Sequence, residues 1–218
     1  MSAVNLQDSS GAAFLEFSRL GIQKGQRDLI SDLSFSIESG DLVHLRGPNG
    51  CGKTSLLRCA AGLAEPTSGE VLARGRPLRR QRQAFSRNLS WCGHRDGLKN
   101  DLSVAENLRA FDSLRGYAHT DCRTALVAMG VVDLEELPVR VLSAGQRRRV
   151  ALARALSSPS ELWLLDEPFT NLDQASIQRM KMTIEAHCKQ GGVCLFASHD
   201  LRDWHFDKLR CLSLGKSQ

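Results

Sequence analysis

No stretch of this 218-residue chain approaches the ~20 consecutive apolar residues needed to span a bilayer. The first eleven residues, Met1 to Gly11, lack the charged-then-apolar pattern of a secretory signal. The expected setting is the cytosol, or the cytosolic side of a membrane as a guest of other subunits. Cysteine is present, but as an odd count with no C-x-x-C spacing: Cys51, Cys59, Cys92, Cys122, Cys188, Cys194 and Cys211. Reduced thiols packed as small hydrophobes are expected, rather than a metal cluster. Net charge is only +5 but unevenly spread, and a nucleic-acid surface is one reading of its basic cluster. Six arginines fall between Arg74 and Arg87, a spacing expected of a solvated loop between strands or of attraction to phosphates and anionic lipid. Hydrophobic and charged contents of 42% and 24% are those of an ordinary globular protein, and the length fits one large domain or a core with a smaller satellite.

What is there begins with a phosphate-binding loop. Gly47, Pro48, Asn49, Gly50, Cys51, Gly52, Lys53 and Thr54 match G-x-x-x-x-G-K-[ST] at every fixed position, with Ser55 following. Asp41 to Arg46 before it reads as a buried strand, and Ser55 to Ala61 after it as a helix. Glycines let backbone N–H groups close around phosphate oxygens, and the helix N-terminus adds its positive end. Lys53 is placed to reach the β- and γ-phosphates, and the Thr54 hydroxyl to ligate Mg²⁺. A nucleoside triphosphate is the expected ligand.

Along the chain, Phe14 to Phe17 and Leu33 to Ile37 alternate apolar and polar, as strands of an antiparallel N-terminal sheet do. Glu70 to Ala73 and Asn88 to Trp91 continue the strand pattern. Helices then take over. Ser103-Val-Ala-Glu106 is a capping box ahead of Leu108 to Leu114; Thr120 to Met129 is a second helix, stopped near Gly130; Pro138 closes the segment. Ser143 with Gln146 forms another capping box, opening a basic helix to about Leu156. Glu161 to Asp166 and Val193 to Ala197 are continuous apolar runs of the buried parallel kind, separated by a helix from Gln174 to Gln190. Strand–helix alternation of this sort gives an α/β fold around a parallel sheet. The core is expected at about 12–93 and 142–214, and a helical insert at about 94–141.

A buried strand ending in Asp166, followed by Glu167, reads as the second half of a nucleotide hydrolase. Asp166 would hold the hydration shell of Mg²⁺, and Glu167 would accept a proton from attacking water. Leu142-Ser-Ala-Gly-Gln146 can be a plain helix cap, or Ser143 with adjacent N–H groups can hold a phosphate.

In their order along the chain these segments resemble the motifs of ABC-type ATPases, over nearly all of residues 14–214. The Leu142–Gln146 segment is similar to that family's signature, usually Leu-Ser-Gly-Gly-Gln; Asn171-Leu-Asp173 is similar to its D-loop, and Ser198-His199-Asp200 to its switch histidine. The resemblance implies a P-loop ABC-type nucleotide-binding domain with a RecA-like core, an N-terminal antiparallel β-subdomain and a helical insert. It implies ATP and Mg²⁺ as ligands, and a homodimer in which each ATP lies between one copy's loop and the other copy's Ser143, Gly145 and Gln146. Asp173 would join that interface, and His199 would contact the γ-phosphate. Where most relatives have a Gln that reaches Mg²⁺, this chain has His94, whose imidazole can ligate Mg²⁺ or the attacking water. Near residues 22–26, where an aromatic side chain normally stacks on adenine, there is no Tyr or Phe, and Arg27 could stand in by a cation–π contact.

The stretches Gly93 to Lys99, Leu102 to Leu108, Leu142 to Arg154 and Trp163 to Thr170 are similar to the ATPase subunits of bacterial cytochrome c maturation systems. That family works peripherally, at the cytoplasmic face of the inner membrane. Its partners are an integral permease of the CcmB type and a haem-handling membrane protein of the CcmC type. Its hydrolysis is associated with haem export or with release of a haem-loaded chaperone. Direct haem binding and nucleic-acid binding are not expected here, and no Cys-Pro pair suggests a haem-regulatory site. The ATPase of another small exporter, or a soluble ABC ATPase acting on ribosomes or DNA, are the alternative readings.

Overall fold

The computed structural model describes residues 13–116, 122–199 and 204–215. The N-terminal segment examined for a signal, Thr120 at the start of the expected second helix, and Asp200 lie outside them.

Two sheets are built. The first is antiparallel, in the order β2-β1-β4-β5, from β1 (Leu15–Lys24), β2 (Arg27–Ile37), β4 (Ser68–Ala73) and the two-residue β5 (Arg76–Pro77). β1 and β2 form a long hairpin turning at Gly25, whose φ of 62° suits glycine in a tight turn. The second sheet is parallel throughout, in the order β6-β7-β8-β3-β9: β6 (Leu89–Cys92), β7 (Leu162–Asp166), β8 (Val193–Ala197), β3 (Leu42–Arg46) and β9 (Leu209–Ser213).

The continuous apolar runs are explained by burial on both faces of the parallel sheet. Val43, Leu45, Leu162, Leu164, Val193 and Leu195 point into one core, shared with α1 (Lys53–Ala60) and the antiparallel sheet. Their neighbours Leu42, Trp163, Leu165, Cys194 and Phe196 point into a second core, beneath the remaining helices. The helices of that side are α3 (Val104–Leu114), α4 (Cys122–Ala128), α5 (Ala144–Leu156) and α6 (Gln174–Lys189). Both expected capping boxes form: Ser103 accepts from the Glu106 N–H and Ser143 from the Gln146 N–H, and each partner's side chain accepts in return. Asp173 caps α6 by accepting from the Ser176 N–H.

The arginine-rich stretch departs from the expected solvated loop. It contains β5, a short 3₁₀ turn (Leu78–Arg80) and α2 (Arg82–Arg87). Leu78 is buried and Phe85 packs against the first core, so two apolar anchors give the segment a seat that its charges alone would not. Arg74 and Arg82 pair with Glu161 and Glu65 on the surface, where such pairs contribute at most about 1 kcal/mol each. All seven cysteines are free thiols. Burial pushes Cys59 up to about 11 and Cys188 up to about 12, so both pack as uncharged groups. Among the described residues, no helix is long and apolar enough to cross a membrane.

Candidate functional site

The geometry of the parallel sheet gathers the motifs. β7, β8 and β3 are neighbours and run the same way, so the loops that follow them emerge together at one edge. In open α/β sheets that edge is where ligands bind. The phosphate loop follows β3, Asp166 ends β7 with Glu167 next, and Ser198-His199 follow β8. Three segments far apart in the chain thus meet because strand order, not chain order, sets proximity.

The loop winds back on itself through Gly47, Gly50 and Gly52, with φ of 148°, 76° and 109°. Gly47 is packed hard: a Cβ there would lie 2.1 Å from the Leu214 carbonyl oxygen. Gly52 is the N-cap of α1, so the first N–H groups of the helix open toward the loop. The Lys53 ammonium donates to the Gly47 carbonyl at 2.7 Å and to the Pro48 carbonyl at 3.2 Å, which holds its charge across the loop. Thr54 Oγ1 donates to Asp166 Oδ2 at 2.8 Å. His199 Nε2 lies 3.4 Å from Glu167 Oε1.

These groups share one open cleft of about 920 Å³. Asn49, Gly50, Gly52, Lys53, Thr54 and Ser55 line it, together with Asp166, Glu167, His199 and His94. Ile22, Lys24 and Arg27 of the β1–β2 hairpin line the same cleft. Arg27 therefore shares the cleft with the phosphate loop and Asp166. A smaller cavity of about 220 Å³ adjoins, lined by His94, Asp96, Ala144, Arg147 and Asn171.

Ser143, Gly145, Gln146 and Asp173 are not among the residues that line this cleft. Ser143 accepts from the Gln146 N–H at 3.2 Å and so keeps its own hydroxyl hydrogen for an acceptor outside the helix. Gly145 is pressed against the loop after β7: a Cβ there would lie 2.8 Å from the Asn171 carbonyl oxygen. The Ser143 and Asn171–Asp173 segments therefore form one contiguous surface.

Sequence reasoning missed Arg148. It is buried on α5 and donates to the carbonyls of Gly93, Asp166 and Glu167, each at 2.8 Å. Glu167 has φ of 50°, a left-handed conformation that costs a non-glycine residue about 1–3 kcal/mol unless its surroundings fix it. Arg148 fixes it from one side, and the Glu167 N–H donation to Ala197 O at 2.9 Å fixes it from the other. The signal was available: Arg148 shares one helical face with Ala151, Leu152 and Ala155, all buried, so it is an arginine on an apolar stripe.

Known proteins are similar to this chain over most of its length. Residues 30–170 match the family model for the ABC transporter. The cytochrome c biogenesis ATP-binding export protein CcmA of Escherichia coli K12 is 40% identical over 204 residues, covering 94% of this chain and 98% of that protein. The protein of the same name from Shigella boydii has the same identity and coverage. Among solved structures, a putative ABC transporter ATP-binding protein from Pyrococcus furiosus is similar with a TM-score of 0.79 at 26% identity, covering 92% of this chain and 96% of that one. With the phosphate loop, Asp166 and Glu167 assembled at one sheet edge, and with similarity running the length of the chain, this protein belongs to the ABC transporter ATP-binding family and is an ATP-hydrolysing transport ATPase.

Proposed function

We propose that this chain is the energy-coupling subunit of a membrane complex for c-type cytochrome biogenesis, held at the cytoplasmic face of a bacterial inner membrane. The similarity to the cytochrome c biogenesis proteins at 40% identity across 94% of the chain carries this reading. The work done is haem export, or release of a haem-loaded chaperone. The partners are a permease of the CcmB type and a haem-handling protein of the CcmC type.

In this reading Gly47–Ser55 bind the ATP phosphates, with Lys53 supplying charge. Glu167 takes the proton of the attacking water, and His199, beside it, contacts the γ-phosphate. Ser143, Gly145, Gln146 and Asp173 act on the ATP of a second copy. Their absence from the lining of their own chain's cleft, and a Ser143 hydroxyl that accepts from the helix and keeps its hydrogen to donate, support that role. Thr54 and Asp166 are adjacent hard oxygen donors that fit Mg²⁺, a cation that keeps most of its waters and takes few protein ligands. Mg²⁺ bound with ATP there would offset charge on the β- and γ-phosphates.

His94, which lines the same cleft as Thr54 and Asp166, is proposed as a further metal donor. Glu167→Gln protein labelled with ¹⁵N-histidine and loaded with Mn²⁺ and ATP should show a nitrogen coupling to the metal by pulsed electron paramagnetic resonance, lost in the His94→Ala background. If no such coupling appears, the donors are oxygens only.

The membrane reading is tested by purifying tagged Glu167→Gln protein in ATP from native membranes and identifying what accompanies it. A multi-span permease together with a haem-staining membrane protein is expected. A different permease without haem would leave the ATPase in place and remove the cytochrome assignment.

A further inference from the structure

One buried, polar, titratable side chain adjoins the site without belonging to it. His44, in the middle of β3, is 2% exposed and two residues ahead of Arg46, which leads into the phosphate loop. Its ring lies flat on Phe196 of β8, with centroids 4.6 Å apart and planes 8° from parallel. Phe196 in turn packs against Phe169 and Trp204, so the imidazole faces an aromatic cluster.

Both ring nitrogens are engaged, and together they fix the tautomer. Arg46 Nε–H donates to Nδ1 at 3.1 Å, which requires a lone pair on that nitrogen. Nε2, 3.0 Å from the Ser198 carbonyl oxygen, must then carry the hydrogen and donate it. A neutral ring with a single allowed orientation results. Burial first, then the charges of Arg46 and Lys53, push its pKa down against the opposing pull of the Ser198 carbonyl, which agrees with that neutral form.

The acceptor is the carbonyl of the peptide joining Ser198 to His199. We propose that His44 is a positioning residue for His199: its Nε2–H bond to the Ser198 carbonyl fixes the plane of that peptide, and so sets where the His199 imidazole stands beside Glu167. Backbone pairing of β8 with β3 ends at Ala197, in register with Leu45. His44 extends the tie by a side-chain bond just where the ladder stops. Because β3 also leads into the phosphate loop, the bond couples the placement of His199 to the strand that feeds the loop ahead of Lys53 and Thr54. The inference rests on the proposed role of His199.

Three variants of the full chain, assayed in its membrane complex, test this. His44→Leu keeps bulk and removes the donor; His44→Gln keeps a donor able to reach the Ser198 carbonyl; His199→Ala removes the group being positioned. His44→Leu is expected to lower kcat by roughly tenfold to a hundredfold, the scale on which misplacement of a reacting group costs rate, with KM for ATP within about twofold of wild type. His44→Gln should recover most of that loss. Imidazole ¹⁵N shifts of the wild-type protein, which do not depend on turnover, should show His44 as the neutral Nε2–H tautomer. Wild-type kcat in His44→Leu, alongside an inactive His199→Ala, would overturn the positioning role and leave the role of His199 standing. Wild-type kcat in His199→Ala would remove the His199 reading itself. Should His44→Leu fail to fold, a His44→Gln protein of wild-type stability but no better than tenfold reduced in kcat, or an Nδ1–H tautomer in the wild type, would equally refute the proposal.

Discussion

Glu167→Gln protein should bind ATP as tightly as the wild type and hydrolyse it on the order of 10²–10⁴-fold more slowly, the range over which a positioned general base acts. The substitution replaces one carboxylate oxygen by an amide and changes little else. The backbone at Glu167 is held by donors to its carbonyl and by its own N–H, none of which involves the side chain. Thr54, Asp166 and the loop amides, which hold phosphate in the proposed site, are untouched. Phosphate release under steady state, set beside the ATP dissociation constant, separates the two effects. A turnover rate near that of the wild type would remove Glu167 from the chemistry.

Lys53→Ala should fail one step earlier. The ammonium stands over the loop on the carbonyls of Gly47 and Pro48, and Lys53 is only 7% exposed. Its loss removes a charged hydrogen bond to phosphate worth about 1.5–3 kcal/mol, so the dissociation constant for ATP should rise roughly 10–100-fold. The two carbonyls it leaves without a donor belong to half-exposed and exposed loop residues that water can reach, so thermal stability should change little. Calorimetric titration with ATP, paired with a melting curve, distinguishes loss of binding from loss of fold. Unchanged affinity in a folded variant would mean that the loop amides and helix N-terminus hold the nucleotide without the lysine.

Much of the site could be read from the chain because its elements are local. A phosphate loop needs glycines and a lysine at fixed spacing, whatever lies around it, and a helix cap is decided within four residues. The parallel strands were legible for a related reason: double-sided burial forces a continuous apolar run such as Leu162–Leu165. The long strands of the first sheet were seen only in part. β1 pairs with β2 through several register shifts, and Arg19 and Asp32 take φ of 44° and 52°. Each irregularity turns the following side chains to the other face, so the alternation visible at Phe14 to Phe17 is lost beyond it. β9 was not anticipated, since only half-buried and exposed residues make it up and its place is set by pairing with β3. Arg148 and His44 share one reason for being overlooked. What each does depends on carbonyls more than fifteen residues away in sequence, and no local pattern marks a carbonyl as needing a donor.

The central claim is that one chain carries two half-sites, a phosphate loop and a Ser143 surface, that complete each other only between copies. Light scattering of Glu167→Gln protein with and without MgATP tests it most directly, with Glu167→Gln/Ser143→Arg as the control. A doubling of mass on adding ATP, abolished by Ser143→Arg while each chain still binds nucleotide, is the predicted result. A monomer saturated with ATP, or a dimer indifferent to Ser143→Arg, would contradict it.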